Sequence, residues 1–129
     1  MMSRATIVKE ELTEKNVHLF ALYIETRNAA LVFLSEGEDQ LGTLAASVPP
    51  TEVLSQAFVS SILLGDRNTG TARMLAERLA SKTGKVGLVS VYLRTVSETE
   101  ATPTIIRLFD KVSTLNEAER ESSKEGVEA

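Results

Sequence analysis

The amino-acid sequence predicts an α+β domain of about six strands and two flanking helices, in the order β-β-β-β-β-α-β-α. Five apolar segments of strand length, separated by short polar turns, fill the first half of the chain. The second half contains two segments whose apolar residues have helical spacing, and one further strand-like run. Since short turns pair consecutive strands antiparallel, we expect an antiparallel β-sandwich or one curled sheet with both helices on one side.

The first five strands are predicted from apolar runs and from the turn residues between them. The segment from Val17 to Ile24 is apolar on both faces, which is typical of a strand covered on both sides. Pro49 and Pro50 end the fourth strand because proline cannot donate to a strand ladder, and residues 51–56 then form a loop or a helical turn. The five predicted strands span residues 4–12, 17–24, 29–35, 41–48 and 57–64.

The first helix is predicted from the change to helical spacing at Thr69. Thr69 or Thr71 is the expected N-cap, and Gly84 is the expected end of the helix. Its apolar stripe consists of Ala72, Leu75, Ala76, Leu79 and Ala80. The sixth strand, residues 85–94, follows directly.

The second helix is expected to begin with Thr102 as the N-cap and Pro103 in the first helical position. After Asn116 the chain is rich in glutamate, and such a segment buries too little apolar surface to order itself. We therefore predict one domain, residues 1–116, followed by an acidic, disordered tail, residues 117–129.

Composition and charge exclude several classes of protein. The 129 residues are enough for one domain, and without cysteine they form no disulfide, no cysteine–metal site and no thiol nucleophile. Acidic residues outnumber basic ones by 18 to 14, and the basic residues form no run, so we expect no nucleic-acid partner. The first residues do not resemble a secretory signal, and no segment approaches the roughly 18 apolar residues of a membrane span. We expect a cytoplasmic protein without a membrane partner, with access to the nucleus in a eukaryote.

The sequence contains no set of residues typical of a catalytic centre. Its one histidine, His18, lies on an apolar strand face beside Phe20, which favours a core or rim position over a catalytic or zinc-binding one. Ser60 and Ser61 lie within a strand and lack the G-x-S-x-G setting of a nucleophile. The acidic turn at residues 36–39 lacks the spacing of a calcium loop. We predict no catalytic residue, no metal and no cofactor.

One loop has the position of an anion site. The segment from Gly65 to Thr71 follows a strand and opens a helix, whose N-terminal N–H groups and dipole attract phosphate. The P-loop pattern fails at Thr71 and Ala72, however, and Asp66 would repel an anion. Phosphate or nucleotide binding at this loop stays a minor hypothesis.

The segment from Ser60 to Leu93 resembles a known family. It contains Ser-Ile-Leu-Leu-Gly-Asp at 61–66, Ala-Glu-Arg-Leu-Ala-Ser-Lys-Thr-Gly-Lys at 76–85 and Val-Ser-Val-Tyr-Leu at 89–93. In order and spacing these parts resemble the proteasome assembly chaperone 4 family, to which the chaperone 3 family is closely related. The matching motif positions, whose role as structural or partner-binding residues is open, are Leu63, Leu64, Gly65, Asp66, Arg78, Leu79, Lys82, Thr83 and Gly84.

The resemblance implies a fold and a function. It implies an antiparallel β-sandwich flanked by helices and a protein without enzymatic activity. It further implies a chaperone that pairs with itself or with a related small chaperone and binds an alpha-type subunit of the 20S proteasome during assembly of the alpha ring. The residues by themselves leave an alternative open, a dimeric adaptor or interaction module with a different protein client.

Overall fold

The structure, a computed structural model, describes residues 4–49 and 59–128, with side chains up to residue 118. The predicted loop or helical turn at 51–56 and the first two residues of the predicted fifth strand lie outside the described residues. The elements are β1 (Thr6–Glu14), β2 (Val17–Glu25), β3 (Ala29–Glu36), β4 (Thr43–Val48), β5 (Val59–Leu64), α1 (Thr69–Thr83), β6 (Val86–Tyr92) and α2 (Glu98–Glu128).

The strands form one open sheet in the order β1-β2-β3-β6-β4-β5. Four of its five neighbouring pairs are antiparallel, and β3 and β6 pair in parallel. The predicted α+β class, the element order and the six strands are therefore confirmed for the described residues. The prediction of antiparallel pairing throughout is wrong for β3 and β6. The strands form a single sheet, in agreement with the expected single sheet and not with the alternative of a two-layer sandwich.

The parallel pair has a topological cause. The chain direction reverses at each step from β1 to β3 and again from β4 to β5. Helix α1 then separates β5 from β6 and returns the chain to the end of the sheet at which β5 began. Strand β6 consequently runs in the direction of β3 and β5, and it enters the sheet between β3 and β4.

Both helices cover the same face of the sheet. On this face, buried side chains from neighbouring strands lie side by side in register, and the central row consists of Val8, Tyr23, Val32, Val89 and Ala45. Helix α1 packs on β4 and β6, and α2 packs on β1 and β2. The core between helices and sheet is apolar and mostly aliphatic, with Phe109 of α2 among its largest fully buried side chains.

Gly87 allows α1 to approach the sheet closely. A Cβ atom at this position would lie 2.7 Å from the carbonyl oxygen of Ala76 and 2.8 Å from the nitrogen of Ala80. Real Cβ atoms do not make contacts this short, so a side chain here would push α1 away from β6. The small residues of the predicted helix stripe, Ala76 and Ala80, complete this close approach and are fully buried.

Helix α1 has the extent and buried stripe that its spacing predicts, but its N-cap differs. The cap residue is Asn68, which adopts the left-handed conformation (φ 58°) and makes no side-chain cap hydrogen bond. The prediction of Thr69 or Thr71 as N-cap is therefore wrong, because both residues lie inside the helix. Gly84 ends the helix with φ 67° and donates its N–H to the carbonyl of Ala80, as predicted.

Helix α2 begins earlier and ends later than predicted. Ser97 precedes it, and the Ser97 hydroxyl accepts the N–H of Glu100 at 3.2 Å, which is the contact of an N-cap. Thr102 and Pro103 lie inside the helix, so their assignment as N-cap and first helical residue is wrong. The glutamates of the first turn favour the earlier start because they face the positive end of the helix dipole. The backbone is helical to Glu128, through most of the predicted tail, whereas the division into residues 1–116 and 117–129 stays a prediction.

Candidate interaction surface

The first group of family motif positions lies where β5 ends. Leu63 and Leu64 are about half exposed, and Asp66 lies exposed in the loop that follows. Gly65 has φ 87°, and a Cβ atom there would lie 2.5 Å from Thr43 Oγ1. Both observations require glycine at this position. Gly65 thus serves the turn against β4, while Leu63, Leu64 and Asp66 have exposed side chains.

The second group of motif positions forms the C-terminal end of α1. Leu79 is buried, while Arg78 and Lys82 point outward. The Thr83 hydroxyl donates to the Leu79 carbonyl at 2.8 Å and accepts the N–H of Lys85 at 3.2 Å. Together with Gly84, these contacts end the helix and direct Lys85 back toward the sheet. Arg78 lies 3.8 Å from Asp110 of α2, and both side chains are about half exposed, so this ion pair adds little stability.

A partly buried ion pair joins this turn to β2, and the sequence reasoning missed it. Lys85 Nζ lies 2.6 Å from Glu25 Oε2, and it also donates to the carbonyl of Thr26 at 2.7 Å. Glu25 is 4% exposed, and its other carboxylate oxygen accepts the Tyr23 hydroxyl at 2.8 Å. The available signal was a glutamate at the end of an apolar strand together with a lysine just after a helix stop. Only the fold brings these residues, 60 positions apart, together.

The N-terminus of α1 is already occupied by a carboxylate of the chain itself. Glu98 Oε2 accepts the backbone N–H of Thr71 at 3.0 Å and the Thr71 hydroxyl at 2.6 Å. A carboxylate at a helix N-terminus is the ligand that the free N–H groups and the helix dipole favour. An external phosphate at the loop from Gly65 to Thr71 would have to compete with this contact, which disfavours the anion-binding hypothesis.

A second buried carboxylate holds the segment between β6 and α2. Glu36, at the end of β3, is 7% exposed. Burial by itself raises the pKa of Glu36, but hydrogen bonds from the Thr95 hydroxyl and from the N–H groups of Thr95, Arg94 and Val96 outweigh it and lower this pKa from 4.5 to about 2. The carboxylate therefore stays ionised and ties this connection to the sheet.

The face of the sheet opposite the helices is the main candidate for a binding surface. The strand register places one apolar row across five strands of this face: Ile7, Ile24, Leu31, Leu88 and Ala46. Each of these residues is next in sequence to a residue of the buried central row and therefore points to the opposite side of the sheet. No described helix packs on it. We call this surface the open face, and its apolar side chains on β2, β3, β4 and β6 are Phe20, Leu22, Ile24, Ala29, Leu31, Phe33, Leu44, Ala46, Val48, Val86, Leu88 and Tyr92.

The charges on the open face are confined to one edge. Strand β1 contributes Lys9 and Glu11, whereas no charged residue of the described strands β2 to β6 shares this face. His18 lies at the same edge, stacked on Phe20 with 4.4 Å between ring centroids, and its Nε2 lies 3.5 Å from Glu11 Oε1. With a side chain 44% exposed, His18 is a rim histidine. An apolar face with a polar rim is the usual composition of a protein-binding surface.

Two further features bear on function. In residues 4–49 and 59–118, no three His, Asp or Glu side chains come close enough together to hold a metal ion. None of the described helices combines the length and the apolar character that crossing a membrane requires. The fold and the open face together are typical of a protein-binding domain.

Comparison with known proteins identifies the family. The family model described as proteasome assembly chaperone 4 matches residues 16–93, which include β2 to β6 and all the motif positions. Since the match covers more than half of the chain, this protein belongs to the proteasome assembly chaperone 4 family. No curated protein is significantly similar to it in sequence.

A solved structure supports the fold. A chain in the crystal structure of a novel chaperone complex for yeast 20S proteasome assembly superposes with a TM-score of 0.65. The two chains share 13% identity, and the match covers 89% of this chain and 97% of the yeast one. At this identity the likeness shows a common fold, which extends beyond the family match to most of the chain.

Proposed function

We propose that this protein is a non-enzymatic chaperone of 20S proteasome assembly that binds an alpha-type subunit and works as a dimer with a small chaperone of the same fold. Membership of the proteasome assembly chaperone 4 family is the observation that carries the proposal. The fold shared with a chain of a yeast assembly-chaperone complex supports it. The cytoplasm, with access to the nucleus in a eukaryote, is the proposed compartment.

The open face is the proposed site of pairing between chaperones. Six strands about 4.8 Å apart make a face about 24 Å wide, and strands of six residues make it about 20 Å long. Two such faces in contact would bury on the order of 1,000 Å² or more, which is near the lower limit of specific protein interfaces. A subunit with the same fold would offer a face of matching size and twist, and pairing would remove the apolar side chains of both from water.

The mass of the purified protein in solution tests the pairing. If the protein pairs with itself, light scattering after size-exclusion chromatography should give twice the 14.0 kDa mass of one chain. If it pairs with a related chaperone, it should have the mass of one chain until that chaperone is added. Leu31→Glu places a charge at the centre of the open face and is expected to abolish pairing. Leu115→Glu, on the exposed side of α2, is the matched control and should leave pairing intact. Equal effects of the two variants would contradict the assignment of the open face.

Binding of an alpha-type proteasome subunit is tested in a separate experiment. The tagged protein is used to recover partners from a lysate of the source organism, and each alpha-type subunit found is then mixed with the purified chaperone. Direct binding of one alpha-type subunit is the expected result. If no alpha-type subunit binds and other proteins are recovered, the protein is an adaptor with a different client, and the family match speaks only for its fold.

A further inference from the structure

A small polar cavity lies between α1, α2 and β2, and the exposed residues Lys82 and Glu117 border it. Its volume is about 20 Å³, and its walls include Tyr23 and Glu25 of β2, Leu79 of α1, and Ser113 and Asn116 of α2. A water molecule needs roughly 10–15 Å³ of such space and several polar neighbours. The cavity therefore has room for one water molecule and for no larger ligand.

Two buried polar atoms of α2 line this cavity without a hydrogen-bond partner. They are Ser113 Oγ and Asn116 Oδ1, and their residues are 4% and 1% exposed. The Asn116 amide is oriented by its other end, because Nδ2 donates to Glu25 Oε1 at 2.9 Å. Ser113 and Asn116 are three positions apart and so share one face of the helix. Leaving both atoms unpaired in the interior would cost their full desolvation penalty.

Ser113 differs from other hydroxyl residues of the two helices. The hydroxyls of Thr83, Thr102 and Thr114 each donate to the carbonyl four residues earlier. Ser113 makes no such contact, so its hydroxyl is available to the cavity. The position of the hydroxyl thus points to a partner inside the cavity.

We propose that one water molecule is bound permanently in this cavity and bridges Asn116 Oδ1 and Ser113 Oγ. The water donates to the asparagine carbonyl and exchanges a hydrogen bond with the serine hydroxyl. A cation is disfavoured because Lys85 already supplies a positive charge to Glu25 at 2.6 Å. Through Asn116 the water joins the polar cluster around Glu25, and this cluster fixes how α2 docks on the sheet beside the apolar contacts of the core.

A crystal structure of the full chain at a resolution that reveals ordered solvent is the direct test. The expected result is a solvent peak within about 3.2 Å of both Asn116 Oδ1 and Ser113 Oγ. A cavity without a peak, or a protein donor that fills it, would overturn the proposal.

Thermal unfolding of Ser113→Ala gives an independent result whose sign depends on the water. With the water bound, the variant loses a hydrogen bond and its Tm falls by about 3 °C relative to the control. In a dry cavity the change removes an unpaired hydroxyl, and the Tm equals or exceeds that of the control, which would overturn the proposal. The matched control is Ser81→Ala, which makes the same replacement at an exposed position of α1 and measures the gain in helix propensity alone.

Discussion

Glu98, the first residue of α2, caps the N-terminus of α1 through Thr71. The Glu98 carboxylate accepts both the backbone N–H and the hydroxyl of Thr71, at 3.0 and 2.6 Å. The residue that would normally cap this helix, Asn68, has a left-handed backbone and makes no side-chain cap hydrogen bond. A residue 27 positions away therefore satisfies a group that a local side chain satisfies in most helices.

Removing this contact should weaken the fold. We expect Glu98→Ala to lower the free energy of unfolding by about 1 kcal/mol, the usual cost of losing an N-cap, measured by urea denaturation. Glu98→Gln should cost less, because an acceptor remains and only the charge at the helix N-terminus is lost. Glu100→Ala, an exposed change in the same helical turn, is the control. An equal loss in the control would contradict the capping role.

The same contact predicts that added phosphate does not stabilise the protein. A ligand that binds only the native state must raise the Tm with its concentration. We expect no such rise with millimolar phosphate or nucleotide, compared with chloride at equal ionic strength, because Glu98 holds the N-terminus of α1. A rise that saturates with ligand concentration would restore the anion-binding hypothesis.

Glu36 should make stability depend on acid pH. Its pKa is lowered from 4.5 to about 2 in the folded protein. Between these values the unfolded chain binds a proton here and the folded chain does not, so the free energy of unfolding falls as the pH falls from about 4.5 toward 2. The contribution, on the order of 3 kcal/mol, is fully present above this range.

The variant Glu36→Gln measures this contribution. It should be less stable at neutral pH and should show a shallower loss of stability in acid. Glu38→Gln, an exposed change in the adjacent turn, is the control and should keep the slope of the wild type. An unchanged slope in Glu36→Gln would place the acid sensitivity elsewhere in the protein.

Two glycines near the end of α1 should respond differently to alanine. At Gly84 the space is open, so Gly84→Ala should lower the free energy of unfolding by only about 1 kcal/mol, the cost of a left-handed backbone for alanine. At Gly87 the new methyl group meets the backbone of Ala76 and Ala80, so Gly87→Ala should cost roughly 2–4 kcal/mol. Urea denaturation of both variants measures the difference. The reverse order would contradict the close packing of α1 on β6.

Removing the lysine from the partly buried pair of Lys85 and Glu25 should destabilise the fold. Lys85→Met leaves Glu25 buried without its cation, and we expect a loss of roughly 2–4 kcal/mol in the free energy of unfolding. Adding Glu25→Gln to this variant removes the buried negative charge and should recover part of the loss. Lys82→Met, an exposed change one turn earlier, should stay within about 0.5 kcal/mol of the wild type.

The sequence by itself determined the elements of this protein and its family. Apolar runs predicted the described strands, the spacing from Ala72 to Ala80 predicted α1, and the motifs at 61–66 and 76–85 indicated the family that the comparison confirmed. These signals are local, since strand and helix periodicity and helix stops are set by neighbouring residues. The start of α2 was missed because the Thr102–Pro103 signal competes with the Ser97 cap, and both are locally plausible.

Only the tertiary structure decided how these elements meet. The parallel pairing of β3 and β6, the cap that Glu98 forms on Thr71 and the ion pair of Lys85 with Glu25 each join residues far apart in the chain. The apolar character of β2 on both sides was visible in the sequence, but not which side the helices cover. The hydrophobic pattern specifies which strand faces avoid water, but the topology determines which of them the helices of the same chain cover. The open face is therefore apolar, and no described helix packs on it.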